Sequence, residues 1–332
     1  RKNEICEFLE SYSEVRDNAK KAISSIERRQ FFIDQIANLF YGMSLGSILL
    51  LAALGLAITF GLMGVINMAH GEMLMIGAYS TFVIQNLFRD YLPNLFDWYL
   101  IAAIPTAFIV SGVVGIIMER SVIRHLYGRP LETLLATWGI SLVLIQTVRL
   151  IFGAQNVEVA NPSYLSGGIQ AFNGVVLPFN RIAIIIFVIF VVILVWTLLQ
   201  KSSLGLQVRA VTQNRGMASC VGISTRKIDM YTFGLGSGVA GLGGVALSQV
   251  GNVGPELGQL YIVDSFMVVV LGGVGKIAGT VAGAMGLGVL NKFLEPVAGA
   301  VLGKILVLVL IIIVIQKRPQ GLFALKGRIV DD

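Results

Sequence analysis

The stretch KSSLGLQVRAVTQNRGMASCVGISTRKI, Lys201 to Ile228, is the longest polar interruption in the C-terminal two-thirds of this chain. It carries Lys201, Arg209, Arg215, Arg226 and Lys227 with only neutral polar partners. An apolar run, Ile182 to Leu199, precedes it, and another follows. Lys and Arg near the ends of membrane spans resist translocation, so a loop this basic is expected on the cytoplasmic face. Its middle, Val208 to Cys220, has helical spacing and no proline. That predicts one short surface helix, available to a soluble partner.

Composition agrees with a chain that is mostly membrane. Of its 332 residues, 55% are hydrophobic and 13% charged, against an ordinary charged share of about 25%. Mean hydropathy is +0.80. No water-soluble domain of this size needs so much apolar surface, so the fold class is all-α, a polytopic helical integral membrane protein. A net charge of +6 would suggest nucleic acid in a soluble protein. Here the basic residues sit in loops and set topology, and no nucleic-acid partner is expected. Cys6 and Cys220 fall on opposite sides of the membrane, which rules against a disulfide. His70 and His125 are too few for a zinc site, and no cofactor is expected in this chain. Arg1 rather than Met opens the sequence, which points to a portion preceding it.

Residues 1–35 are soluble in character. Ile5, Phe8, Leu9, Tyr12, Val15, Ala19, Ala22, Ile23 and Ile26 recur at helical intervals with charges between them, which predicts amphipathic helices on the external side. Residues 36–318 form the membrane domain, with spans near 39–64, 67–88, 98–118, 133–153, 180–200, 228–250, 261–275, 277–295 and 298–316. Most approach the ~20 residues needed to cross a bilayer, giving about eight or nine spanning or re-entrant segments. The stretch 261–275 is short, and whether it crosses or re-enters is left open. Loop ERSVIRHLYGRP, 119–130, is basic and reads as cytoplasmic; loop 154–180 has no Lys or Arg and reads as external. The tail, residues 319–332, is expected in the cytoplasm. Counting spans puts the N-terminus outside, against the opposing pull of Arg28 and Arg29.

Two glycine strings invite misreading. GSGVAG, 236–241, lies inside an apolar span, which makes it a packing motif and not a dinucleotide fingerprint. GGVGKI, 272–277, lacks the first glycine and the Ser or Thr of a phosphate loop. The chain has no nucleotide site of its own. Gly275, Gly279 and Gly283 recur every fourth residue and are expected to share one helix-packing face.

Charged residues inside spans cost roughly 2.5–3.5 kcal/mol and are functional candidates by default. The densest group is NMAHGE, containing Asn67, His70 and Glu72. It either breaks a span to expose a polar pathway or merely caps the next helix at the membrane surface. TWGIS, with Thr137 and Ser141, and the more distant Gln146 form a polar stripe able to bond a small solute or a neighbouring helix. Asp264 is a further lining candidate, whereas Glu256 reads as a surface charge. No nucleophile–base or paired-carboxylate constellation is present, so enzymatic activity is not expected.

Several segments together resemble a known family. GLAITFGLMGVINMAHGEMLMIGAY (55–79), LLATWGISLVL (134–144), VRAVTQNRGMASCVGI (208–223) and VVVLGGVGKIAGTVAGA (268–284) resemble LivH-type permeases of the branched-chain amino acid ABC transporters, in the family's order. Within that family, FGAQNVEVANPSYLSGG (152–168) and LETLLATWGISL (131–142) look most like the urea-transporter permease, the UrtB type. EVRDNAKKAISSIE (14–27) looks like the end of that branch's helical extension.

The resemblance implies a subunit of the bacterial plasma (inner) membrane that works with a homologous permease, two ATPase subunits that bind ATP and Mg, and an external solute-binding protein. It also implies a role for the opening stretch. Arg209, Asn214, Arg215, Met217, Ala218, Gly222 and Ile223 stand where importers carry the ATPase-coupling sequence, with Gly216 replacing that motif's glutamate. The solute expected on this resemblance is urea. The alternative within the family is a branched-chain amino acid, whose zwitterion needs charged or dipolar anchors. From another class, the alternative is a self-sufficient channel or ion-coupled carrier for a small polar solute.

Overall fold

A computed structural model describes residues 2–172, 175–318 and 321–322. The remainder of the predicted tail lies outside the described residues. The elements are α1 (Lys2–Met63), α2 (His70–Tyr91), α3 (Tyr99–Ser121), α4 (Pro130–Phe152), β1 (Gly168–Phe172), β2 (Val175–Pro178), α5 (Phe179–Lys201), α6 (Ser203–Gln213), α7 (Arg215–Cys220), α8 (Thr225–Ser248), α9 (Leu257–Gly272) and α10 (Ile277–Lys317). Among the described residues, six helices are long and apolar enough to cross a membrane, and α9 is a shorter apolar helix. The fold is a polytopic helical bundle.

The helix α1 continues unbroken through residues 35 and 36, so extension and first span form one rod of 62 residues, about 93 Å long at 1.5 Å per residue. Val15, Ile23 and Ile26 of the predicted amphipathic face are exposed. The side chains of Ile5, Phe8, Leu9, Tyr12 and Ala19 lie outside the described residues.

Two faces of the bundle are defined by their contacts. At one, the basic face, Thr212 of α6 donates to the Leu62 carbonyl near the end of α1 (2.8 Å). At the opposite face, Tyr41 of α1 donates to the Val176 carbonyl in the short β1–β2 hairpin (3.3 Å). The rod therefore enters at the hairpin face and ends at the basic face.

At the centre stands α8, whose small residues let neighbours approach on several sides. A Cβ on Gly236 would strike Thr59 and the Gly55 carbonyl of α1; on Gly238, Phe108 of α3; on Gly241, Ala107 and Ser111 of α3; and on Gly244, the Leu74 carbonyl of α2. Without a hydrophobic force between helices in lipid, such close approach is what holds them together. The G-x-G-x-x-G string is thus a packing surface.

At Gly299, with φ +78°, α10 breaks. Gly303 beyond the break lies against Leu294 and Glu295 before it, so the two limbs form a hairpin. The expected spans 277–295 and 298–316 are these limbs. The sequence reading of a single face for Gly275, Gly279 and Gly283 does not hold. Gly275 precedes the helix in a left-handed conformation, φ +85°, and packs on Gly61 of α1. Only Gly279 and Gly283 share the α10 face, against Gly272 and Val268 of α9. Fourfold spacing is blind to where a helix starts.

The loop 201–228 holds two helices, not one. Asn214 breaks the run with extended backbone, and its Oδ1 accepts from Met217 N (2.9 Å) to cap α7, as Ser202 Oγ caps α6 at Gly205 N (3.1 Å).

Candidate functional site

The chain leaves α1 at Gly64, whose positive φ of +69° suits glycine and ends the helix. It then runs through residues 64–69 without regular structure. These residues do not turn at the surface. They climb back along α1, so that His70, the first residue of α2, bonds through Nε2 to the Ala52 carbonyl (3.0 Å). Ala52 lies eleven residues before Met63, about 16 Å up the rod. The sequence left open a pathway-forming break or a surface cap. The structure has a break inside the bundle, where irregular backbone is tolerated only if protein buries it or a cavity takes it.

A second helix begins at the same depth. Gly71 of α2 and Gly258 of α9 meet backbone to backbone, with no room for a Cβ on either. From there α2 runs to the hairpin face and α9 to the basic face, where Gly275 rests on Gly61 and Leu322 N bonds the Leu271 carbonyl (2.8 Å). Two helices thus present their N-termini to one another inside the bundle. Both ends carry partial positive charge, a repulsive arrangement that favours an anion between or beside them.

Glu72 occupies the first turn of α2 and is 1% exposed. Its Oε1 accepts from Ser141 Oγ of α4 (2.8 Å), while Oε2 has no partner among the described residues. The break itself is ordered by Asn67, whose Oδ1 accepts from Ala69 N (3.0 Å), and by Thr137 Oγ1, which accepts from Met68 N (3.1 Å). Thr137 donates onward to the Thr133 carbonyl (2.8 Å). Asn67 Nδ2 and His70 Nδ1 are also buried without partners among the described residues. Because Ala52 offers a carbonyl, the His70 proton sits on Nε2 and Nδ1 is left as an acceptor. One donor and two acceptor atoms therefore stand unpaired in one buried cluster, where each costs about 1–3 kcal/mol. Nine other buried side-chain atoms are also unpaired among the described residues, so what makes this cluster the candidate is that three converge within six residues at a helix break.

Five of the sequence candidates, Asn67, His70, Glu72, Thr137 and Ser141, assemble here. Two do not. Gln146 is exposed; five residues beyond Ser141 it is rotated by about 140° from the stripe, which continues through Ile145 and Val148 instead. Asp264 pairs with Lys304 of α10 (3.2 Å) and lines a separate cavity of about 260 Å³ with Tyr261, Asn291 and Glu295.

The basic-face candidates divide by direction. Met217 and Cys220 of α7 are exposed, and so are Asn214 and Gly222. Ala218 packs inward with Val208, Val211 and Ile228, and Ile223 lies beside them. Arg209 donates to the Leu199 carbonyl in the last turn of α5. Arg215, its side chain 44% exposed, pairs with the buried Asp229. Sequence reading missed Asp229, Tyr127 and Glu119 around it; Glu119 and Asp229, charged residues at the ends of apolar spans, were the signal available.

A family model described as the branched-chain amino acid transport system permease component matches residues 38–315. The high-affinity branched-chain amino acid permease protein BraD of Pseudomonas aeruginosa is 31% identical over 297 residues, covering 88% of this chain and 95% of the relative. LivH of Salmonella typhimurium is 30% identical over 304 residues, covering 89% and 96%. The ribose import permease RbsC of Haemophilus influenzae is 23% identical over 281 residues, covering 82% and 81%. No solved structure matches the chain. The chain belongs to the permease family of the branched-chain amino acid transport systems.

Proposed function

We propose that this chain is the membrane permease of an ATP-driven importer and that its solute is a branched-chain amino acid. The observation that carries this reading is the buried cluster at the meeting of α2 and α9. A zwitterion needs an acceptor for its ammonium group and a positive environment for its carboxylate. Glu72 Oε2 is an unpaired acceptor, Asn67 Nδ2 is an unpaired donor, and the facing helix N-termini supply positive potential. Ile262 lies against Gly71 beside them and offers apolar surface to the aliphatic side chain. The names of the 30–31% identical relatives, all branched-chain amino acid systems, support the same solute. Urea, the solute expected from the loop 152–168, is neutral: its N–H groups can donate to Glu72 but bring that carboxylate no counter-charge.

In this reading the basic face is cytoplasmic, by the Lys and Arg of 119–130 and 201–228. The N-terminal rod then stands outside. The exposed side of α6–α7 receives an ATPase subunit, a homologous permease completes the pathway, and an external binding protein delivers solute at the hairpin face. The test is uptake of labelled leucine and labelled urea in cells lacking only this gene. Loss of leucine uptake with urea uptake intact is the expected result. Loss of urea uptake alone would transfer the chain to the urea branch. Uptake that persists after the energy supply is removed would favour the channel or carrier.

A further inference from the structure

The pairing of Arg215, half-exposed at the surface, with the buried Asp229 carries an inference that rests on the importer reading and deepens it. Arg215 is the first residue of α7, at the positive end of a helix, where a cation is disfavoured. Its guanidinium reaches both carboxylate oxygens of Asp229, Nη1 at 3.4 Å to Oδ1 and Nη2 to Oδ2. It also lies over the Tyr127 ring, 4.6 Å from the centroid. The Asp229 side chain, in the foot of α8, is 3% exposed, so it depends on this partner for its charge. Beside the pair, Arg124 bonds Glu119, whose side chain is fully buried at the end of α3 (3.3 Å). Arg215, Asp229, Tyr127, Arg124 and Glu119 thus tie α7, α8, α3 and the α3–α4 loop at one point.

From that knot a short set of contacts leads to the buried cluster. Tyr127 lies in the loop whose Leu126 and Arg129 carbonyls accept from Thr133 Oγ1 (3.1 and 2.9 Å). Thr133, Thr137 and Ser141 are consecutive positions on the buried stripe of α4, and Ser141 holds Glu72. Met217 and Cys220 of α7, and Val221 just after it, are exposed. So α7 has one side free for a partner and one side fastened to the bundle.

We propose that Arg215 is a positioning residue that transmits displacement of α6–α7, through Asp229 and Tyr127, to α4 and its hold on Glu72, and that this role, not docking by the exposed part of its side chain, is what the residue contributes. The experiment reconstitutes the complete importer with wild-type chain, Arg215→Gln, Arg215→Lys, Asp229→Asn, the double variant Arg215→Gln/Asp229→Asn, and Met217→Glu. Three quantities are read: ATPase subunits retained on purification, ATP hydrolysed, and solute moved per ATP. Arg215→Gln and Asp229→Asn are expected to retain the ATPase subunits and to lower solute moved per ATP by about tenfold, the worth of one charge-assisted hydrogen bond. The double variant should be no worse than Asp229→Asn alone, because the pair acts as a unit. Arg215→Lys, which keeps charge but loses fork and stacking, should fall between. Met217→Glu should lose the ATPase subunits instead.

If Arg215→Gln loses the ATPase subunits as Met217→Glu does, Arg215 is a docking contact and the proposal is overturned. Unchanged solute per ATP overturns it as well. Should Asp229→Asn alone fail to assemble, the Arg215→Gln and Arg215→Lys ratios decide by themselves. Absence of ATPase subunits from the wild-type preparation would overturn the importer reading and this proposal with it.

Discussion

Two irregular stretches interrupt this bundle, residues 64–69 before α2 and 249–256 before α9, and they are finished in opposite ways. The second is braced. Gln249 Nε2 donates to Tyr99 Oη (3.3 Å) and its carbonyl accepts from Asn180 (3.1 Å). Val253 exchanges both backbone hydrogen bonds with Val157 (2.8 and 2.9 Å), and Tyr99 donates to the Ala160 carbonyl (2.6 Å). The first is held from one side by two hydroxyls of α4, Thr137 and Ser141, and leaves Asn67 Nδ2, His70 Nδ1 and Glu72 Oε2 unpaired. The flanking braces Asn180, Gln85 and Arg149 each leave one buried atom unpaired too, but none lies within 249–256 itself. The unpaired atoms that converge at the first break therefore make it the candidate site and the second the scaffold. Moreover α4, the helix that closes the site, buries only one stripe, while Leu131, Leu135, Trp138 and Leu142 face outward. In the importer reading, motion of α4 opens the unsatisfied break while the braced one stays put.

The largest effect should come from forcing apart what the two breaks share. A Cβ on Gly71 or Gly258 meets the other's backbone carbon and oxygen, and neither can give way. Gly258→Ala is expected to abolish folded protein, read as loss of the monodisperse peak after detergent extraction. Gly139→Ala on α4, with nothing near its Cβ, should express as well as wild type and gain up to about 1 kcal/mol of helix propensity. A Gly258→Ala protein that folds and transports would dissolve the meeting of α2 and α9.

Next is the charge. Glu72→Gln keeps the acceptor to Ser141 and removes the carboxylate that faces the helix ends. Leucine uptake should fall by about 100-fold or more, since a charged hydrogen bond of 1.5–3 kcal/mol and the ammonium's counter-charge go together. Gln249→Ala at the braced break should instead reduce the amount of folded protein and leave uptake per molecule within about twofold, because its bonds are structural. Equal damage to uptake per molecule from both would erase the distinction between the breaks.

Smaller again is the loss of the clasp. Ser141→Ala strips Glu72 of its donor, a cost of about 1–3 kcal/mol, and uptake should drop about tenfold with the protein still assembled. Gln146→Ala, exposed on the other side of α4, should transport normally. A matched loss at Gln146 would put the pathway on the outer face of α4 and away from Glu72.

How much of this could be read in advance follows from the range of each signal. Membrane spans, the basic loop and the polar string Asn67–Glu72 are local, written in consecutive residues, and so were legible. The α10 hairpin was legible as two spans, though not its hinge, because Gly299 looks like any other glycine until its φ of +78° is seen. Gly275 misled for the same reason, since a fourfold repeat carries no sign of where hydrogen bonding begins. The decisive contact, Ser141 to Glu72, joins residues 69 apart. The knot of Arg215, Asp229 and Tyr127 joins three separate segments, and nothing in any one of them specifies the others. The glycines of α8 set the approach of α1, α2 and α3, and so place Glu72 and Glu119 but not Ser141.

The smallest effect tests the braced break at its rim. Arg149 of α4 pairs with Glu256, at the entrance to α9, at 2.5 Å, and the Glu256 side chain is 65% exposed. This is the one ion pair among the described residues that fastens α4 to the second break. Exposed pairs contribute about 0.2–1 kcal/mol and are screened by salt. Glu256→Gln should therefore leave folded yield unchanged and shift leucine uptake by less than about fivefold, the upper bound set by 1 kcal/mol. Its direction is informative. If α4 must move away from Glu72 during transport, loosening its far end should raise the turnover slightly, and raising the salt concentration should mimic the substitution in wild type. A fall in uptake as deep as that of Ser141→Ala would mean that the rim pair positions the site, and the two breaks would then have to be treated as one.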